Sequence, residues 1–156
     1  AAAVPIATLL ATADIAKGEA VFKKCAACHT VAQGGPNGIG PNLWAALGKP
    51  HGHVAGFSYS DALKSVPGNW DFEGMDKWLA SPKKYAPGTK MTFAGLGNPE
   101  ERANLIAYLN AQGSNLPLPT PPAADAAAAA PAADAATVEA TATPTADAAA
   151  PVPAAK

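Results

Sequence analysis

Apolar residues recur at spacings of three and four in several stretches of this chain, and the segments between them are crowded with Gly and Pro. Ile15, Gly18, Phe22 and Cys25 fall on one helical face, and Thr12 or Asp14 supplies a good N-cap just before them. Gly18 in a helix interior costs about 1 kcal/mol relative to Ala, so it predicts a second backbone passing close by. Residues 72–80 predict a longer helix that stops before Pro82, because the residue preceding a proline disfavours the helical region. Asn98 as N-cap, Pro99 at the first position and Glu100 and Glu101 in the first turn predict a last helix through Arg102, Leu105, Ile106 and Leu109. Gly113 ends it.

Shorter helices are expected around Leu43–Leu47 and from Asp61 to Val66. Residues 30–58 and 82–91 read as loops. Residues 1–11 read as an extended lead-in or linker. The domain then runs from 12 to 116, and 117–156 forms a disordered, acidic Ala/Pro-rich tail. The tail holds 19 Ala, half of the 16 prolines, and no Gly, Cys or aromatic residue. With so few large apolar side chains it cannot offset the entropy of ordering.

Composition sharpens this division. Alanine inflates the 49% apolar share, while aromatic residues make up only 6% and charged residues 15%. Residues 1–116 carry 10 basic and 8 acidic side chains, and the tail carries 1 and 4, which gives the overall −1. That balance argues against a nucleic-acid partner, which calls for a strong basic excess. No stretch approaches the ~18 apolar residues of a membrane-spanning helix. The chain does not begin with Met, which leaves room for an upstream signal peptide or membrane tether.

The chemistry is concentrated in Cys25-Ala-Ala-Cys28-His29. Two thiols three residues apart on one turn can add to the two vinyl groups on one edge of a haem, and the next residue, a His, can ligate the iron. A redox Cys-x-x-Cys lacks a surrounding βαβ pattern. A zinc site would need four ligands, and His51, His53 and the carboxylates stand at spacings unlike common zinc modules. The reading is haem c, bound covalently through Cys25 and Cys28, with His29 as metal ligand. For the sixth position Met91 is favoured, because it ends a loop stiffened by Pro82 and Pro87. Met75 reads as a helical core or surface residue, and His51 and His53 as solvent-facing.

The chain resembles the class I cytochromes c of the mitochondrial-type branch over about residues 14–112. The motifs that carry the resemblance are Lys17–Val31 around the two cysteines, Gly-Pro-Asn-Leu at 40–43, Gly-Phe-Ser-Tyr at 56–59, Trp70, residues 82–96 around Met91, and Leu-Ile-Ala-Tyr-Leu at 105–109. Among bacterial members it is most similar to membrane-anchored c552-type carriers. The resemblance implies an all-α fold of about four to five short helices around one covalently attached haem, with loops lining the crevice. It implies that the Pro41 carbonyl accepts the second imidazole N–H. It also implies that Tyr59 and Trp70 hydrogen-bond a haem propionate, that Thr89 supports the distal loop, and that Phe93 lines the pocket. Gly18 and Phe22 would meet the last helix near Leu105 and Tyr108. Lys49, Leu63 and Trp78 depart from the family, which usually has Arg, Asn and Tyr at these positions.

Met/His ligation raises the reduction potential and fills both axial positions, so the expected chemistry is one electron on and off the iron, not catalysis. Lys24, Lys83, Lys84 and Lys90 flank the attachment and ligand loops and are expected to ring the exposed haem edge as a docking patch. The resemblance implies a monomer on the periplasmic side of a respiratory chain, between a bc1-type donor and a terminal oxidase acceptor. The alternatives are a haem enzyme or ligand-binding haem protein with a labile sixth ligand, and the electron-entry domain of a larger complex.

Overall fold

In the computed structural model, which describes residues 3–120, each of the longer helices begins at a capping side chain. The Asp14 carboxylate accepts from Ala16 N at 2.9 Å and Lys17 N at 3.1 Å, and α2 follows over Ile15–Phe22. Asp71 accepts from Gly74 N at 2.6 Å at the start of α4, Phe72–Ala80. Asn98 accepts from Glu100 N at 2.9 Å at the start of α6, Pro99–Leu109. Each carboxylate or amide satisfies backbone N–H groups that the first turn leaves without partners. Three shorter segments complete the set: α1 (Ile6–Leu10), α3 (Asp61–Lys64) and α5 (Pro82–Tyr85). Among the described residues there is no β-strand, only an isolated antiparallel bridge between Pro50 and Asn69. No helix among them is long and apolar enough to cross a membrane.

The central packing is α2 against α6. A Cβ placed on Gly18 would come within 2.6 Å of the Asn104 carbonyl carbon and 2.7 Å of Tyr108 Cβ, so the two backbones meet where only Gly fits. Phe22 lies against Tyr108 at a ring separation of 5.4 Å. The Asn104 side chain also accepts from Asp14 N at 2.8 Å, which ties the start of α2 to α6. Leu105 and Ile106 of α6 are completely buried. On the other side of α6, Arg102 Nε donates to Asp76 of α4 at 2.6 Å, and its Nη1 donates to the Leu96 carbonyl at 2.8 Å. This half-buried ion pair clamps α4, α6 and the end of the preceding loop together.

Four expectations need correction. The lead-in is not extended through residue 11, because Ile6 and Leu10 lie on one face of α1, are buried, and pack with the core that α4 and α6 share. No helix forms at Leu43–Leu47, because Ala45 adopts a left-handed φ of 52° and gives its N–H to the Gln112 carbonyl at 2.7 Å. The loop 82–91 opens with a helical turn, α5. The last helix loosens into a wider turn over Asn110–Ser114 before Gly113, at φ 89°, ends it. These one-turn pieces raise the helix count from the expected four or five to six among the described residues. The expected stop before Pro82 is observed, with Ser81 extended at φ −161° and ψ 95°. Beyond residue 120 the Ala/Pro tail lies outside the described residues.

Candidate functional site

The chain leaves α2 through a tight turn that carries both cysteines. Cys25 N donates to the Phe22 carbonyl at 2.7 Å, Cys28 N donates to Cys25 O at 3.0 Å, and His29 N donates to the same oxygen at 2.9 Å. Both thiols are free and half-buried. Burial and the neighbouring Cys28 push the Cys25 thiol pKa up, against the opposing pull of Lys24. Cys25 therefore favours the neutral thiol form.

His29 sits at the end of that turn. Its Nδ1 lies 2.7 Å from the Pro41 carbonyl oxygen. A carbonyl only accepts, so Nδ1 carries the proton and Nε2 keeps its lone pair. Burial lowers the His29 pKa and the Pro41 bond partly offsets this, so the neutral ring is favoured. Gly40 packs against the same ring. A Cβ there would sit 2.6 Å from Nδ1 and 2.7 Å from Nε2, so a side chain at 40 would displace the imidazole. The neutral tautomer with a free Nε2 is the form that ligates a metal.

A cavity of about 380 Å³ opens beside this turn, and its wall is mainly apolar. Cys25, Cys28, His29, Pro41, Thr89, Met91 and Phe93 all contribute to that wall. Tyr59 and Trp70 line it as well, so every cofactor-contacting residue expected from the sequence meets one cavity. Its volume lies in the ~300–1,000 Å³ range of cofactor-sized sites. Two thiols, a lone-pair imidazole nitrogen and a thioether on the wall of an apolar cavity suit a covalently held haem. Among the described residues no group of three or more His, Cys, Asp or Glu side chains could hold a metal ion by itself.

The expected docking lysines divide. Lys24 and Lys90 line the cavity, while Lys83 and Lys84 are exposed on α5 away from its wall. Lys24 also pairs with Glu101 at 3.3 Å, and Lys90 Nζ lies 3.4 Å from Ser58 O. The Tyr59 hydroxyl accepts from Val54 N at 3.1 Å, and burial raises its pKa, so its proton stays available to donate. Thr89 Oγ1 accepts from Met91 N at 3.3 Å.

Other residues depart from their sequence reading. His51 is not solvent-facing but 9% exposed, and His53 lines the cavity. Met75, Trp78 and Leu63 are buried and line it too. Their position on α3 and α4 follows the helical periodicity, but nothing in the pattern shows that the buried face of those helices is a cavity wall. Ile39, at 82% exposure the most exposed large apolar side chain among the described residues, also belongs to the wall.

Comparison with known proteins agrees with this geometry. Residues 15–113 match the family model described as Cytochrome c. A protein of Bradyrhizobium diazoefficiens named Cytochrome c homolog is 48% identical over 122 residues, covering 77% of this chain and 66% of that protein. The chain thus spans just under two thirds of that relative's length. Cytochrome c of Chlamydomonas reinhardtii is 52% identical over 97 residues, covering 62% of this chain and 87% of the relative. The solved structure of cytochrome cH from Methylobacterium extorquens superposes with a TM-score of 0.60 at 42% identity, covering 63% of this chain and 98% of that one. The chain belongs to the cytochrome c family, whose cofactor is a covalently bound haem c.

Proposed function

We propose that this member of the cytochrome c family is a single-haem electron carrier that takes one electron from a bc1-type donor and delivers it to a terminal oxidase. It acts on the periplasmic side of a respiratory chain as a monomer, in the manner of the membrane-anchored c552-type carriers. The observation that carries the reading is the 2.7 Å bond from His29 Nδ1 to the Pro41 carbonyl, beside two free thiols and on the same cavity as Met91.

Cys25 and Cys28 would hold the haem through thioethers, with His29 and Met91 as its metal ligands. When bound, the haem supplies one reversible electron through the Fe(III)/Fe(II) couple. Pro41 fixes the imidazole tautomer and ring orientation and raises the basicity of the ligating nitrogen. Tyr59, Trp70 and Thr89 hold the propionate side, and Phe93 helps to keep water from the pocket. Leu63 puts an apolar side chain where the family usually has Asn, and Trp78 puts an indole where the family usually has a Tyr hydroxyl; both are buried on the cavity wall. With His29 and Met91 both committed to it, the group would exchange electrons and leave no position for dioxygen or peroxide, so the role is transfer.

Lys24, Lys83, Lys84 and Lys90 form the docking patch that meets an acidic partner surface and speeds encounter. Gln33, Pro36 and Gly38 stand where the family often has Lys, so the steering is weaker than in strongly basic relatives. The transfer rate should fall as ionic strength rises, and a rate independent of salt would overturn the docking patch. The deciding test of the whole reading is a visible spectrum of oxidised and reduced protein, repeated under carbon monoxide. Sharp c-type bands that carbon monoxide leaves unmoved support the carrier. Rapid carbon monoxide binding moves the reading to a haem enzyme or ligand-binding protein.

A further inference from the structure

One buried polar cluster lies outside the proposed ligand set. His51 Nδ1 lies 2.8 Å from the Gly68 carbonyl oxygen, and Nε2 lies 3.0 Å from the Tyr85 hydroxyl. The carbonyl can only accept, so Nδ1 carries the proton and Nε2 accepts from Tyr85. The His51 ring packs on Trp70 at a centroid separation of 4.1 Å. Tyr85 stacks on Trp70 at 5.7 Å with an interplanar angle of 17°. Three stretches of chain thus meet at one imidazole: the loop of residues 48–53, the turn at Gly68, and α5.

Tyr85 is the last residue of α5, six residues before Met91. Its hydroxyl sits over the first turn of α4, where a Cβ on Gly74 would stand 2.9 Å from it. Burial and nearby Asp71 hold the phenol above its ordinary pKa, so it remains a donor. Among the described residues, residues 82–91 reach the rest of the chain through few side-chain hydrogen bonds. One is Tyr85 to His51, and the others run from exposed Lys90 to Ser58 at 3.4 Å. The remaining hydrogen bonds are local, such as Thr89 N to Ala86 O at 2.9 Å.

We propose that His51 is a positioning residue for Met91: by holding Tyr85 it clips the ligand-bearing segment to the body of the protein and slows displacement of Met91. The proposal rests on Met91 being the distal ligand. The clip is half-buried, with His51 itself buried, and it shares its aromatic packing with Trp70 on the cavity wall. The Lys90 contacts are long and lie in solvent, where such bonds contribute little.

The test is the rate at which imidazole binds oxidised holoprotein, a rate limited by departure of Met91. Tyr85→Phe and His51→Leu should each raise it about fivefold, the size expected of one net hydrogen bond. The double variant should exceed the faster single variant by little, because both remove the same bond. Gly74→Ala, whose Cβ would stand 2.9 Å from both the Tyr85 hydroxyl and the capping Asp71 Oδ1, should raise the rate more in the wild type than in Tyr85→Phe. If His51→Leu does not fold, Tyr85→Phe and Gly74→Ala carry the test. An unchanged rate, including one accompanied by a lower melting temperature, overturns the clip, as do independent, multiplicative effects. Met91→Ala separates the two readings. Fast binding there and slow binding in the wild type supports Met91 as ligand whatever the clip variants do. Equal rates overturn the ligand assignment itself.

Discussion

The chain segments that bring His29 and Met91 to the cavity are built differently. On the His29 side, one continuous turn carries Cys25, Cys28 and His29 directly out of α2, and a 2.7 Å bond and the Gly40 backbone hold the ring. On the Met91 side, the residue is half-buried in a loop eleven residues beyond the end of α4, and its own nearby bond, Met91 N to Thr89 Oγ1, is 3.3 Å long. The first side inherits its rigidity from the α2–α6 contact. The second depends on clamps made far away in sequence: Arg102 on Asp76 and Leu96, and His51 on Tyr85. Under the proposed ligation, the helical frame holds one ligand and tertiary hydrogen bonds hold the other.

Substitutions should separate the two sides. The largest effect is expected from His29→Ala, which removes the proximal nitrogen that Pro41 orients, and reduced protein should lose its sharp c-type bands altogether. Gly18→Val drives a side chain into the Asn104 backbone and should cost about 3 kcal/mol by denaturant titration. If the His29 side depends on the α2–α6 frame, carbon monoxide and imidazole access in the remaining folded fraction should change little until global unfolding.

Arg102→Leu should cost about 2 kcal/mol, less than a fully buried pair because Asp76 keeps some access to water. It also frees the Leu96 carbonyl. Imidazole should then enter the Met91 side under conditions where the protein is still folded. Equal loss of both sides would contradict the division.

The smallest effect is a pH slope at His53. Burial lowers its pKa from the ordinary 6.5, Lys49 adds to the lowering, and the Pro50 carbonyl opposes it. The folded state therefore disfavours the proton. The contribution to stability is complete above pH 6.5 and is lost as pH falls through the lowered folded value. His53→Asn should flatten that part of the stability curve, as urea titrations at pH 7 and at about pH 5 would reveal.

Much of the architecture was legible because its signals are local. Asp14 and Asn98 each cap the helix that follows, and Ser81 before Pro82 stops α4 where expected. The Cys25–His29 spacing and the family motifs also pointed to residues that line a single cavity. α1 was not legible. Five residues led by a proline carry too short a period to announce a helix, and burial of Ile6 and Leu10 against distant α6 decides it.

The same reasoning distinguishes Ala45 from Gly18. Gly18 announces a close approach because a missing side chain within a helical pattern has few other causes. Ala45 carries no such sign. Its left-handed backbone follows from a hydrogen bond to Gln112, sixty-seven positions away, beside Gly113 packed against the Trp44 ring. Nor could a Gly-rich loop reveal that His51 would be buried between Gly68 and Tyr85. Caps, proline stops and the thiol spacing act within a few residues, so the order of amino acids alone determines them. Burial, an adopted φ and a shared imidazole are settled by partners that only folding brings together.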